Sequence, residues 1–346
     1  MNNESQTVAQ LRAIPVGEKR PFVGVYLLKK LALKKAKNGN DFLSLELGDN
    51  SGSFSANCWS DSPAYSVFEA AQEGDVVRVE GISDHYRDSF SPSLRAAKIM
   101  DETEVQQSGV LENLVKISPE DPQALWDEFQ NFKNSITHVG LRNTVELAVQ
   151  SCEETFRTAP AALAMHHAYR FGLLEHTVHV GRVTAALLPL YPHVNADLAM
   201  TGALLHDIGK ALEYGNARAP TRTRIGRLEG HIVLGYRMVR SAMMRAKKEN
   251  PDALDADTVE RLEHIILSHQ GELQWGAAVL ASTPEALLVS LADNLDAKMA
   301  MTEQALRESD PNAEFSDFLK GLGVNLLLTP PSTSASDTEA IDENTL

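Results

Sequence analysis

Between residues 18 and 100 the apolar positions recur in short runs, most of them with a period of two. Phe22 to Leu28 is an apolar run that ends in lysines. In FLSLELGD, Leu43, Leu45 and Leu47 alternate with Ser44 and Glu46; in SFSANCWS, Phe54, Ala56 and Cys58 alternate with Ser55, Asn57 and Trp59. Such alternation puts one face of a strand in a core and the other in water. Lys37-Asn38-Gly39-Asn40 and Asp49-Asn50-Ser51-Gly52 supply turns between the runs, because Asn, Asp and Gly tolerate tight-turn dihedrals. A short helical stretch over 63–72 precedes two further strands, GDVVRVEG and one running roughly from Phe90 to Ile99.

Three strands, a helix and two more strands is the order of a five-stranded OB-fold barrel. After Met100 the pattern changes. DETEVQQSGVLENLVKISPED is acidic and polar, as in a linker, and Ser118-Pro119-Glu120-Asp121 reads as a helix start. From there to about residue 321 the periodicity is helical, with LRNTVELAVQSCEETF, ADLAMTGALLHDIGKAL and PEALLVSLADNLDAKMAM among the segments. The end, TPPSTSASDTEAIDENTL, is poor in apolar residues and reads as disordered. The expected architecture is therefore α+β and multidomain: a lead segment (1–17), a small β-barrel (18–105), a linker (106–120), an all-α helical bundle (121–325) and an acidic tail (326–346).

The chain has 346 residues, enough for two domains, and 43% of them are hydrophobic. Its net charge of −15 excludes a globally basic protein that coats nucleic acid, although a local basic patch remains compatible. Cys58 and Cys152 stand too far apart in sequence for a disulfide framework or a thiolate zinc site. MNNESQTVAQLRA lacks the apolar core of a signal peptide, and no apolar run reaches the roughly 18 residues that span a bilayer. A soluble cytoplasmic protein without membrane association is expected.

Most of the 11 histidines fall in the helical region, several beside carboxylates: His176 in GLLEHTVHVG, His206-Asp207 in LLHDIGK, His231 in EGHIVLG, His264 and His269 in LEHIILSHQG, with Asp293 in ADNLDAK. Imidazole and carboxylate are the ligands that divalent ions take when no thiolate is available. Any one of these histidines alone reads as a solvated or hydrogen-bonded residue; five with two aspartates on separate helices do not. His206 and Asp207 share no face in mid-helix but can both turn inward at a helix end, which Gly209 permits.

The order H…HD…H…H…D centred on HDIGK resembles the HD superfamily of metal-dependent phosphohydrolases over roughly residues 170–300. With YLLKK…NGNDFLSLELGDNSGSFSANCW and ILSHQGELQWG, the chain resembles the YhaM-type 3′→5′ exoribonucleases, which join an OB-fold domain to an HD domain. The resemblance implies that His176, His206, Asp207 and Asp293 hold one metal. Asp207 would bridge to a second completed by His231 and His269, with His264 a weaker candidate. It also implies manganese as the ion, where His/Asp ligation alone equally accepts cobalt, nickel, iron or zinc. One departure bears on the second metal: the family usually has two adjacent histidines where this chain has His269-Gln270, and glutamine is a poor ligand. Such ions lower the pKa of a bound water and neutralise charge on the phosphodiester. Lys210, one turn beyond His206, is a candidate catalytic residue that reaches a phosphate oxygen; the plainer reading is a solvated lysine. Asp296 competes with Asp293 as a ligand, His179 is read as a supporting or surface residue, and His166-His167 as structural.

Lys29, Lys30, Lys34, Lys35 and Lys37 form the densest basic cluster, placed at the end of the first strand and in its loop. By alternation Phe42 and Trp59 lie opposite the core faces of their strands, as candidate platforms for base stacking or as caps on the barrel core. Arg218, Arg222, Arg224 and Arg227 lie between the HDIGK and EGH motifs, where Arg222 and Arg224 can clasp a nucleic-acid backbone. The resemblance thus implies an exoribonuclease that degrades single-stranded RNA from its 3′ end to nucleoside 5′-monophosphates, with single-stranded DNA and a homo-oligomeric state left open. The residues by themselves support metal-dependent phosphoester hydrolysis. Rival readings are an HD phosphohydrolase of a small nucleotide or cyclic dinucleotide, and a nucleic-acid-binding adaptor without catalysis.

Overall fold

The structure is a computed structural model that describes residues 5–36, 39–86, 89–163, 167–215, 218, 220–310 and 312–328. It divides into two units, residues 1–296 and 297–346. The first begins with a short helix, α1 (Val8–Arg12), held by a capping box in which Thr7 and Gln10 satisfy each other's backbone N–H groups. Val8 and Leu11 of this helix are buried in the core of the following sheet, and the Val8 N–H donates to Asp49 Oδ2 at 2.7 Å. Of the lead segment expected over 1–17, Val8, Leu11 and Ile14 pack in the core of the β domain.

That domain contains β1 (Pro21–Lys35), β2 (Asp41–Asp49), β3 (Gly52–Trp59), the helix α2 (Tyr65–Ala70), β4 (Val76–Ile82), a small hairpin of β5 (His85–Tyr86) and β6 (Ser89–Phe90), and β7 (Ser93–Ile99). The strand order is β3-β2-β1-β4-β7, antiparallel throughout. β1 pairs with β4 through Pro21–Leu27 and with β2 through Leu27–Lys35, with a bulge between Leu28 and Lys30. One long strand thus serves both halves of the sheet, and the bulge bends it between them. Among the described residues the strands form a five-stranded antiparallel sheet, and no ladder between β3 and β7 closes it into the barrel expected, although the two strands approach each other. The first strand also runs further than its apolar run, because residues 30–35 keep pairing with β2, from Lys30 opposite Glu46 to Lys35 opposite Asp41.

The linker expected over 106–120 contains the end of one short helix and the whole of another. α3 (Glu102–Ser108) and α4 (Leu111–Leu114) bury Val105 and Leu114 against Leu27 and Val76 of the sheet. Ile117 and Arg170 form a parallel bridge. Asp121 rather than Ser118 caps the next helix, with Pro122 in its first turn. The helical region comprises α5 (Pro122–Ser135), α6 (Val139–Gln150), α7 (Glu153–Thr158), α8 (Gly172–Leu187), α9 (Ala196–Leu205), α10 (Lys210–Glu213), a hairpin of β8 (Tyr214–Gly215) and β9 (Thr221–Arg222), α11 (Arg224–Glu249), α12 (Ala256–Ser268) and α13 (Pro284–Glu308). The β8–β9 hairpin interrupts a region whose periodicity is otherwise helical. α9 is apolar on nearly every side, which is why it lies at the centre: Leu198 to Leu205 are all buried.

The second unit, described by itself, holds the end of α13 and a hairpin of β10 (Phe315–Leu319) and β11 (Val324–Leu327). These strands fall where helix was expected up to 325 and tail from 326. Of the expected tail, 329–346 lie outside the described residues. Among the described residues no helix is long and apolar enough to cross a membrane.

Candidate metal centre

Four helices present one imidazole each to a common point. His206 and His269 occupy equivalent places: each caps the C-terminus of its helix, α9 and α12, in αR conformation. In each the Nδ1–H donates to the carbonyl three residues back, Ala203 O at 2.8 Å and Ile266 O at 2.7 Å. That bond fixes the tautomer and turns the Nε2 lone pair inward. Gly202 and Ile265 let the two helices approach closely, for a Cβ at 202 would stand 2.6 Å from the Ile265 side chain. His231 follows a kink in α11 at Gly230, whose φ of 71° breaks the helix one residue before the imidazole. His176 lies on the buried face of α8.

His206-Asp207 does fall at a helix end, as expected, but Gly209 is needed there for a different reason. Its φ is helical, at −62°. A Cβ on it would lie 2.0 Å from the His231 carbonyl oxygen and 2.5 Å from the Gly235 nitrogen. The glycine allows the HDIGK turn to sit on the α11 backbone beside His231.

Asp207 stands at the point of convergence, 2% exposed. Its Oδ2 is 3.2 Å from His176 Nε2 and 3.5 Å from His206 Nε2, while its Oδ1 is 3.5 Å from His269 Nε2 and 3.6 Å from His231 Nε2. Asp293 Oδ1 lies 3.3 Å from His176 Nε2. His176 and His206 face each other Nε2 to Nε2 at 3.1 Å, with both Nδ1 atoms committed elsewhere. Neither Asp207 oxygen has a hydrogen-bond partner of acceptable geometry, although both are buried. Lys210 Nζ is its nearest countercharge among the described residues, 2.5 Å from Oδ2. A pocket of converging lone pairs around an orphaned carboxylate is suited to a cation. The C-terminal ends of α9 and α12 add negative dipole ends there. Two sets of three, His176/His206/Asp207 and Asp207/His231/His269, each bring their ligand atoms within 4.8 Å of one another.

Lys210 is buried rather than solvated. Burial pulls its pKa down, but Asp207 more than offsets this and holds it above the ordinary value. Burial likewise pushes the Asp207 carboxyl up, while Lys210 and the imidazoles outweigh it and leave it well below the usual carboxylate range.

Behind the histidines stand two carboxylates that hold their outer nitrogens. Asp296, weighed from sequence as a rival ligand, accepts from His176 Nδ1 at 2.7 Å; its oxygens also meet His167 Nε2 at 3.0 Å and His179 Nδ1 at 2.9 Å. Glu213, which sequence reasoning missed, accepts from His231 Nδ1 at 2.8 Å. Beyond Asp296, His179 Nε2 meets Glu120 Oε1 at 2.6 Å, and Arg182 grips Glu120 with two hydrogen bonds of 2.9 Å each. Arg182 also pairs with Glu128 on α5. Tyr169 donates to Glu175 and stands 2.9 Å from His167 Nδ1. Nothing in residue type alone marks Glu213, Glu120 or Arg182, since their partners lie 18 to 62 residues away in sequence.

Other expected site residues sit apart. His264 is not at the convergence point: its Nε2 accepts from the Ser282 N–H at 2.8 Å, and burial lowers its pKa. His166 and Lys37 lie outside the described residues. Lys29 turns onto its own sheet, donating to the Gly52 carbonyl at 3.1 Å, so it offers little to a ligand. Lys30 pairs with Glu46, Lys35 with Asp41, and Lys34 donates to Ser44, all at an exposed surface. Phe42 and Trp59 are cross-strand partners with ring centroids 4.9 Å apart, and Trp59 is 43% exposed, on the outer face as alternation predicts. Arg222 pairs with Glu213 at 3.0 Å, whereas Arg224 opens α11 with an exposed side chain.

An α-helical array that turns H…HD…D motifs toward one point defines the class, and residues 173–298 match the HD domain family. Across nearly the whole chain the similarity is narrower. The protein is 32% identical over 302 residues to the 3′-5′ exoribonuclease YhaM of Shouchella clausii, covering 86% of this chain and 90% of that one. It is 32% identical over 297 residues to the YhaM exoribonuclease of Bacillus subtilis, with the same coverage, and 29% identical over 308 residues to that of a Geobacillus species. The chain belongs to the YhaM family.

Proposed function

We propose that this protein is a metal-dependent 3′→5′ exoribonuclease that hydrolyses single-stranded RNA to nucleoside 5′-monophosphates. The observation that carries the reading is the convergence of four imidazole Nε2 atoms on the two orphaned oxygens of Asp207, in a chain of an exoribonuclease family. His176, His206, Asp207 and Asp293 would hold one divalent ion and Asp207, His231 and His269 a second, with manganese as the ion. A divalent ion so held supplies a water of lowered pKa and neutralises charge on the phosphoryl oxygens. Gln270, with its amide nitrogen 3.3 Å from His231 Nε2, favours a second ion with one strong protein ligand fewer.

The remaining residues bind and orient. Lys210, anchored on Asp207, keeps a fixed positive charge beside the reacting phosphate. Asp296 and Glu213 hold the tautomers of His176 and His231. The β domain, read as an OB fold from its strand order, grips the strand: Phe42 and Trp59 offer a stacking surface, and Lys30, Lys34 and Lys35 exchange weak surface pairs for phosphates. Arg222 and Arg224 contact the backbone nearer the metals.

Chromatography of the products tests this. Single-stranded RNA incubated with the protein and Mn²⁺ is expected to release nucleoside 5′-monophosphates, and a protein without any intact Asp207 is expected to release none. Turnover of small or cyclic nucleotides with RNA left intact would contradict the reading.

A further inference from the structure

The two faces of Glu213 point to different things. Its Oε2 holds His231 Nδ1 at 2.8 Å, and its Oε1 holds Arg222 Nε at 3.0 Å. The carboxylate itself is 2% exposed, whereas the Arg222 side chain is 54% exposed. One buried group therefore connects the imidazole that faces Asp207 with a guanidinium at the surface.

Its mounting is rigid. Glu213 ends α10, directly after the HDIGK turn, and its backbone carbonyl accepts from the Thr223 N–H at 2.9 Å. Thr223 caps α11 by accepting from Gly226 N at 3.0 Å and donates its own hydroxyl to the Leu212 carbonyl. Gly226 packs so closely on Glu213 that a Cβ there would lie 2.5 Å from the Glu213 carbonyl oxygen. The β8–β9 hairpin pairs Tyr214 with Arg222, which puts Arg222 across from the residue that follows Glu213. Glu213, Arg222 and the first turns of α11 thus form one body, and Glu213 Oε2 ties it directly to His231, which follows the break in α11 at Gly230.

The geometry points to Glu213 as a positioning residue that couples the second metal half-site to RNA. The Arg222 guanidinium is ion-paired through its Nε side with the buried Glu213 while its side chain is 54% exposed, so the group can offer a planar fork of N–H donors to a phosphodiester oxygen pair. Removing the Glu213 carboxylate would release both the His231 ring and the Arg222 guanidinium. Any ligand that favours one arrangement of Glu213 therefore favours the other, and the coupling is reciprocal. This rests on the proposed reading of Asp207, His231 and His269 as a metal half-site.

The test uses the full chain and four forms: wild type, Glu213→Gln, Arg222→Ala and the double variant. Mn²⁺ binding is measured by calorimetry without RNA, and kcat and KM with a 5′-labelled single-stranded oligoadenylate at several salt concentrations. In Arg222→Ala the loss of kcat/KM is expected mainly in KM, about tenfold, with the log–log salt slope reduced by about one, as for one lost phosphate contact. Glu213→Gln is expected to weaken one Mn²⁺ by roughly 10–100-fold, as loss of the carboxylate behind a ligand histidine does, and also to raise KM for RNA. The double variant should then have the KM of Glu213→Gln alone. Additive KM effects, or a Glu213→Gln protein with wild-type KM, would overturn the coupling. Should Glu213→Gln fail to fold, the proposal stands or falls on Arg222→Ala alone: an unchanged salt slope overturns it, and so does an unchanged Mn²⁺ affinity. A wild-type protein that binds no Mn²⁺ or leaves RNA intact would instead refute the functional reading beneath it.

Discussion

Asp207 accepts no well-formed hydrogen bond among the described residues, and Lys210 is its nearest cationic partner. Such a carboxylate is costly to bury unless a cation completes it. Replacing it with alanine removes the shared member of both ligand sets, so metal binding by calorimetry should fall at both sites and not at one. Asp296 gives a graded contrast. Burial would raise its carboxyl, but hydrogen bonds from His167, His176 and His179 hold it far below the usual range, so it is charged and accepts from all three. Asp296→Asn keeps the shape and loses the charge. The expected outcome is a metal affinity lower by roughly 10–100-fold at the His176 site. Equal loss at both sites would contradict the assignment of Asp296 to His176.

At the scale of elements, the centre depends on close backbone approaches as much as on ligands. Gly209→Ala would push a methyl against the His231 carbonyl, and overpacking of this kind costs about 3 kcal/mol. Urea unfolding should show that loss, with metal affinity reduced because α11 carries His231. A second element-level tie is Arg182 on α8, which grips Glu120 and Glu128. Its hydrogen bonds pull the Glu120 carboxyl down to about 2. A lowered folded-state pKa contributes stability above the unfolded value near 4.5, and that contribution disappears as pH falls toward 2. Glu120→Gln should therefore be less stable than wild type at pH 7, with the difference shrinking below about pH 4.5 and gone near pH 2; the partial exposure of the pair keeps the effect small.

These elements also show what the sequence makes legible. Alternation over Leu43, Leu45 and Leu47 and over Phe54, Ala56 and Cys58 gives the strands with their inward faces, because period two maps directly onto a sheet. HDIGK and ADNLDAK give His206, Asp207 and Asp293, because their order survives folding. Glu213, Glu120 and Arg182 escape, since a hydrogen bond across 18 to 62 residues leaves no local pattern. The β1 lysines have partners that the sequence hides for a related reason. They look like an open basic cluster, yet Lys30 and Lys35 meet Glu46 and Asp41 only once β2 lies alongside.

For the whole molecule, metal binding and folding should be linked. The candidate ligands come from α8, the ends of α9 and α12, α11 and α13, so an ion bound among them restrains most of the helical region. Protein freed of metal by EDTA should melt at a lower temperature and recover on addition of Mn²⁺. The gain would be roughly 2.7 kcal/mol when free ion is a hundredfold above Kd. The most direct test of the central claim follows a single-stranded RNA labelled at its 5′ end, with and without Mn²⁺, beside Asp207→Ala. The account predicts a Mn²⁺-dependent ladder that shortens from the 3′ end and is absent in the variant. Immediate release of the labelled 5′ nucleotide, or a ladder that persists in Asp207→Ala, would contradict it.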